Sequence, residues 1–113
     1  MADCIFCKIV KGEIPSTSVY RDEHAYAFRD IQPAAPTHIL IVPQRHIDSV
    51  NALSAEDEGT IGHLFTVAKQ IAAQEGLSER GYRLVINTNA EAGQTVFHIH
   101  LHLLGGRQLT KMG

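Results

Sequence analysis

The chain has 113 residues, 44% of them hydrophobic, which is enough to bury the core of one compact domain spanning residues 1–113. Its formal net charge of −2 argues against a protein that grips nucleic acid through a basic surface. The N-terminus turns polar at once and no apolar run approaches the length of a membrane span, so we expect a cytoplasmic protein without a signal peptide and without a membrane partner.

The first third of the chain predicts a short helix followed by strands. Residues 5–10 are apolar and predict about one helical turn, which Gly12 and Pro15 end. Asp22 and Glu23 fit a tight turn between two strands of a hairpin. Strands are predicted at 18–21, 25–31 and 37–42. A loop with two prolines, at 32–36, connects the last two of these strands.

One long helix is predicted over residues 55–75. Ser54 is a good N-cap, and the acidic residues 56–58 suit the positive end of the helix dipole. Gly76 supplies a stop. Apolar residues recur at helical spacing between these signals, at Ile61, Leu64, Phe65, Ala68, Ile71 and Ala72.

Two more strands complete the predicted fold, at 82–87 and 96–104, with a polar loop over 89–94 between them. One long helix and five strands that are mostly connected as hairpins imply an α+β fold. We therefore expect a five-stranded antiparallel sheet with one long helix packed on it, and a short N-terminal helix.

Three histidines alternate with apolar residues in the last predicted strand. Side chains two apart on a strand share a face, so His98, His100 and His102 should lie in a row, about 6.5–7 Å apart. Three interpretations are open: a solvated face or an expression tag, a metal site, and nucleophilic catalysis by the central imidazole. The span from His98 to His102 is too long for all three to bind one ion.

The same residues carry a family resemblance. The run from His98 to Leu104 fits the His-x-His-x-His-x-x signature, and the chain resembles the Hint branch of the histidine triad (HIT) superfamily. Four further segments match that branch: 30–33, 35–38, 93–97 and 105–108. The resemblance covers nearly the whole chain. It implies a HIT-like fold, a homodimer, and a nucleoside phosphoramidase that binds a small nucleotide such as AMP, GMP or an adenylate conjugate.

The resemblance also implies roles for individual residues. His100 is expected to attack the α-phosphorus of a nucleoside 5′-phosphoramidate or an acyl or aminoacyl adenylate and to form a covalent nucleotidyl-histidine. His102, His98 and His38 complete the expected catalytic cluster, which needs no metal if donors neutralise the phosphoryl oxygens. Asp30 is expected to accept from the ribose hydroxyls. The other expected nucleotide contacts are Ile31, Asn87, Gly93, Gln94 and Thr95, with Ile5, Phe6 and Phe28 beside the base.

Cys4 and Cys7 form a Cys-x-x-Cys pair that supplies half of a tetrahedral zinc site. His46 and His98 are the candidates for the other half, as in bacterial HIT proteins that look similar and bind a structural zinc. The alternative is two small buried thiols without a metal. A thioredoxin-like redox pair is disfavoured because no βαβ context follows.

Two alternative functions stay open on the sequence. One is a dinucleoside-polyphosphate hydrolase or nucleotidyl transferase, which a different substrate series would distinguish. The other is a nucleotide-binding scaffold whose hydrolysis is incidental.

Overall fold

One antiparallel sheet of five strands organises the computed structural model, which describes residues 3–113. The strands follow one another across the sheet in the order β1-β2-β3-β5-β4. Their bounds are β1 (Ser18–Arg21), β2 (Ala25–Arg29), β3 (Thr37–Pro43), β4 (Tyr82–Val85) and β5 (Leu101–Gly105). The helices are α1 (Ile5–Val10) and α2 (Glu58–Gln74). The predicted α+β fold is confirmed.

The long helix α2 covers one face of the sheet. Strand alternation turns Ile39 and Ile41 of β3 and Leu103 of β5 toward it, and all three are fully buried. Leu64 and Ile71 of α2 are fully buried against them. Burying one aliphatic side chain of this size contributes about 1.5–3 kcal/mol, so this layer is the main source of stability.

The short helix α1 lies on the opposite face. Its buried Phe6 and Ile9 pack in one cluster with Phe28 of β2 and with Leu40 and Val42 of β3. Leu40 pairs with a histidine, His102, in the β3–β5 ladder. The face that α1 covers is therefore the face on which the histidines lie.

The start of the long helix differs slightly from the prediction. Residues Ala55–Asp57 form a 3₁₀ turn, and the α-helix begins at Glu58. The Asp57 carboxylate accepts from the Ser54 backbone N–H at 2.9 Å and also pairs with Arg45. Ser54 thus opens the helical segment as predicted, with a tighter first turn.

The predicted strand over 96–104 was wrong at its start, because β5 begins at Leu101. Leu101 pairs with Ile41, so the register would place Ile99 opposite Pro43. Proline has no N–H to donate, and the ladder stops. The Ile99 N–H instead donates to the carbonyl of Ile47 at 2.6 Å. His98 and His100 therefore precede the strand and do not belong to it.

Two other predicted strands were two residues too long. β2 ends at Arg29 because the next residue, Asp30, accepts from the Gln32 N–H at 2.9 Å and turns the chain. β4 ends at Val85, which pairs with His102 near the beginning of β5, so the ladder does not extend to Asn87. Within residues 3–113 no helix is long and apolar enough to cross a membrane.

Candidate active site

The three histidines of the motif lie side by side although only His102 is in a strand. The ring centroids of His100 and His102 are 4.9 Å apart. Phe6 of α1 stands edge-on to His98 at 6.0 Å and to His100 at 5.0 Å. Phe6 of α1 therefore packs directly on His98 and His100, although both precede the strand on which a common face was predicted.

His100 is held in one tautomer by the main chain. Its Nδ1 lies 2.8 Å from the carbonyl oxygen of His98. A carbonyl oxygen can only accept, so Nδ1 carries the proton and Nε2 keeps its lone pair. Burial lowers the pKa of His100 below its ordinary value, which keeps the ring neutral at neutral pH. A neutral imidazole with a free Nε2 is a competent nucleophile.

A directed chain of hydrogen bonds orients His102. The Ala34 N–H donates to Nδ1 of His38 at 3.0 Å, so the proton of a neutral His38 lies on Nε2. That nitrogen is 2.9 Å from Nδ1 of His102 and donates to it. The remaining proton of His102 is consequently on its own Nε2. Burial, followed by the neighbouring His100 and His38, lowers the pKa of His102 to about 4.

Asp30 lies beside this chain. Its Oδ2 is 3.5 Å from Nε2 of His38 and its Oδ1 accepts from the Gln32 N–H. Burial lowers the pKa of His38, and the negative charge of Asp30 opposes that shift. Asp30 is half-buried and has acceptor capacity left for a ligand.

A cavity of about 350 Å³ opens next to His100 and His102. Six of the predicted site residues line it, and so do the three residues predicted to flank a base. The lining residues from the prediction are Asp30, Ile31, Gly93, Thr95, His100 and His102, together with Ile5, Phe6 and Phe28. Most of the wall is apolar, which suits a planar base, while the histidines and Asp30 lie together where polar groups of a ligand would be held.

Other predicted site residues lie outside this cavity wall. His38 stands behind His102, and His98 faces the cysteines. Gln94 is buried, and its side-chain amide bonds only to backbone: it accepts from the Asn89 N–H at 2.8 Å and donates to two carbonyl oxygens. Asn87 follows β4 and is half-buried.

Eight wall residues were not predicted as site residues, namely Ile9, Ile14, Pro15, Ser16, Arg29, Gln32, Leu40 and Val96. For Ile9 a signal existed in the sequence: it follows Phe6 by three residues, so both lie on one face of the short helix. The positions of Leu40 and Val96 depend on sheet register and loop path, which the sequence pattern did not specify.

A second cluster joins Cys4 and Cys7 with His46 and His98, as predicted for a metal site. One potential ligand atom of each residue lies within 4.8 Å of all the others. Nδ1 of His98 is 3.4 Å from Sγ of Cys4 and 3.5 Å from Sγ of Cys7, and Nδ1 of His46 is 3.3 Å from Sγ of Cys7. Tetrahedral zinc with bonds of about 2.0–2.3 Å places neighbouring sulfur and nitrogen ligands about 3.5 Å apart.

The outer contacts of both histidines also fit zinc. Nε2 of His98 donates to the carbonyl of Pro43 at 2.8 Å, and Nε2 of His46 donates to Oδ1 of Asp48 at 2.6 Å. Each ring therefore turns a lone pair on Nδ1 toward the thiols. Such carbonyl and carboxylate partners are typical of histidines that bind zinc. The donor set of two thiols and two imidazoles fits a closed structural site.

Comparisons with known proteins agree with this geometry. A model of the HIT domain family matches residues 11–109. The chain is 57% identical over 110 residues to a purine nucleoside phosphoramidase from Escherichia coli (strain K12), covering 97% of this chain and 92% of that protein. A HIT family hydrolase from Legionella pneumophila is similar at a TM-score of 0.94 and 55% identity, covering 96% of each chain. A histidine triad protein from Clostridium difficile is similar at a TM-score of 0.96 and 42% identity, covering 100% of this chain and 98% of that chain.

Proposed function

The chain belongs to the HIT domain family and is a hydrolase, and from that premise we propose that it cleaves the P–N bond of purine nucleoside 5′-phosphoramidates. Acyl and aminoacyl adenylates, which present the same phosphorus, are the related substrates. The observation that carries the proposal is His100: its Nδ1 is bound to the His98 carbonyl and its free Nε2 borders the cavity. The similar Escherichia coli protein, a purine nucleoside phosphoramidase by name, supports the substrate class.

The reaction proceeds in two displacements. Nε2 of His100 attacks the α-phosphorus, and the electron pair of the broken P–N bond goes to the leaving nitrogen, which takes up a proton from solvent and departs as an amine. Water then attacks the nucleotidyl-histidine and releases a proton to solvent, the monophosphate leaves, and the electron pair of the bond to phosphorus returns to Nε2. Dividing one difficult substitution into two easier ones is the gain from covalent catalysis.

His102 stabilises the negative charge that develops on the phosphoryl oxygens, and His38 orients it for this role. The hydrogen-bond chain leaves an N–H on Nε2 of His102, and His102 lines the cavity. That N–H donates to a phosphoryl oxygen as negative charge accumulates there. His38 does not line the cavity and acts by fixing the tautomer of His102.

The cavity wall determines how the nucleotide lies. The base packs between apolar side chains such as Phe6 and Ile31, and a carboxylate oxygen of Asp30 accepts from the ribose hydroxyls. The Thr95 hydroxyl holds the phosphate beside Gly93, because the N–H groups of Gly93 and Gln94 already donate to the carbonyls of Ala90 and Asn89. Gly93 and Thr95 both line the cavity, which supports this placement of the phosphate.

Zinc is proposed at Cys4, Cys7, His46 and His98, where it would hold the N-terminal segment against the rest of the chain. His98 then serves the metal with its side chain and the nucleophile with its carbonyl. The P–N cleavage itself uses His100 and His102 and is proposed to need no cofactor.

A homodimer is proposed as the assembled form. β4 is an edge strand of the sheet and all four of its residues are half-buried, while Phe65 on α2 is 42% exposed. A second copy would cover apolar surface and an unpaired strand edge together. Light scattering at micromolar concentration should give the dimer mass, and a monomer mass would contradict this proposal.

The test of the function is hydrolysis of a fluorogenic adenosine 5′-phosphoramidate by the wild type and His100→Ala, with EDTA present. His24→Ala is the matched control, since His24 is exposed and pairs with Glu23 away from the cavity. We expect turnover by the wild type and the control, none by His100→Ala, and an AMP adduct on the His100 peptide after an alkaline denaturing quench, which preserves the P–N bond. AMP binding without turnover by the wild type would indicate a binding module, and preference for dinucleoside polyphosphates would indicate the other hydrolase class.

A further inference from the structure

Helix α1 connects the cysteine–histidine cluster to the nucleotide cavity. Accepting the proposed function, we propose that ligation of the cluster sets the position of α1 and thereby tightens nucleotide binding. The two sites are then thermodynamically coupled, although the metal takes no part in breaking the P–N bond.

The first ground is the size of α1. It has six residues, and isolated helices shorter than about 12–15 residues are marginal in water. Its stability must come from its contacts. In its C-terminal part, the buried Ile9 and Val10 pack in the apolar cluster. At its N-terminal end, Cys4 contacts His98 and Cys7 contacts His46.

The second ground is where the cysteines lie. Cys4 is the N-cap, and its Sγ accepts from the Cys7 N–H at 3.3 Å. Across the chain the two sulfurs face His46 and His98, which come from segments 39 and 94 residues away in sequence. A tetrahedral ion at this point would fix the first turn of α1 to both segments.

The third ground is what lies between the cysteines. Ile5 and Phe6 are the two residues separating Cys4 from Cys7, and both line the nucleotide cavity. The Phe6 ring is also 5.0 Å from the ring of His100. Any displacement of the first turn therefore moves a cavity wall and a ring packed on the nucleophile.

Linkage predicts the size and the symmetry of the effect. Couplings between two sites commonly change affinity by about 5–150-fold, and a single helical turn at one wall suggests about tenfold. By reciprocity, AMP must tighten metal binding by the factor by which the metal tightens AMP binding.

The experiment measures AMP dissociation constants by calorimetry for zinc-loaded and cobalt-loaded wild type, the same protein after chelation, and Cys4→Ser. Serine is a good N-cap, so Cys4→Ser keeps the start of the helix while removing one ligand. Lys8→Ser is the matched control, because Lys8 lies on α1 but outside both the cluster and the cavity wall. Cobalt titrations with and without AMP, followed by absorbance, measure the reciprocal effect.

We expect AMP to bind about tenfold more weakly to the chelated protein and to Cys4→Ser than to the loaded wild type and Lys8→Ser. AMP should tighten cobalt binding by the factor by which cobalt tightens AMP binding. Phe6→Leu should keep the cobalt affinity measured without AMP yet reduce the coupling. Equal AMP affinities in loaded and chelated protein would overturn this inference and leave the proposed function intact. Failure of every form to bind AMP would overturn the nucleotide site and the inference together.

Discussion

Acid should destabilise the protein partly through His102, and His102→Gln should remove that part. The folded chain lowers the pKa of this imidazole from its ordinary 6.5 to about 4, mainly by burial. As the pH falls below 6.5 the unfolded chain takes up a proton that the folded chain refuses. Stability is therefore lost as the pH falls from 6.5 toward 4, and no more is lost below that range.

The size of the effect follows from the two pKa values. At pH 7 neither state is much protonated, and the contribution is near zero. At about pH 4.5 the unfolded residue is almost fully protonated and the folded one only partly so, which lowers the free energy of unfolding by about 2 kcal/mol relative to pH 7. Glutamine does not titrate and can still accept a hydrogen bond from His38.

The assay is urea unfolding of the wild type and His102→Gln at both pH values, at one protein concentration and with chelator throughout. Between pH 7 and about pH 4.5, the free energy of unfolding of the wild type should fall by about 2 kcal/mol more than that of the variant. His98, whose side chain faces the cysteines, lowers the stability of both proteins and cancels in the comparison. If the free energy of unfolding changes with pH in the same way for the two proteins, the burial of a neutral His102 is not the cause of the acid destabilisation.

Three further substitutions test packing and loop structure. Gly105→Ala should destabilise by about 1–3 kcal/mol in urea unfolding, because its Cβ would lie 2.8 Å from Cδ1 of Leu77, and an unchanged midpoint would contradict this contact. Gln94→Ala should cost about 1–3 kcal/mol by leaving buried backbone groups unpaired, with faster hydrogen exchange at the Asn89 N–H as the direct readout. Arg29→Ala should cost under about 1 kcal/mol at low salt and less at high salt, since its pairing with Glu75 is partly exposed; a loss independent of salt would argue against an ion-pair effect.

The sequence predicted the elements well because their signals are local. Alternation identified the histidine face, and the helix signals at Ser54 and Gly76 bracketed α2 closely. The Cys-x-x-Cys spacing indicated a metal half-site, and the family resemblance supplied His46 and His98. All four residues meet in the structure as expected.

The sequence could not predict features that depend on which residues meet across the sheet. The start of β5 is set by Pro43, which the register places opposite Ile99. Gln94 was expected at the nucleotide, but its amide bonds to backbone 46 residues away at Asp48. The Ala34 N–H orients His38, and because it is a main-chain donor no residue type in the sequence indicates it.

The carbonyl of His98 gives the nucleophile an unusual kind of protection. Every residue type supplies the same acceptor, so no replacement of the side chain at position 98 deletes the group that keeps the proton on Nδ1 of His100. A mutational scan at position 98 would measure the effect of losing the imidazole, but it would not measure the role of the carbonyl. The path of the main chain thus sets the orientation of the reactive nitrogen, and substitutions of the side chain at position 98 leave this acceptor in place.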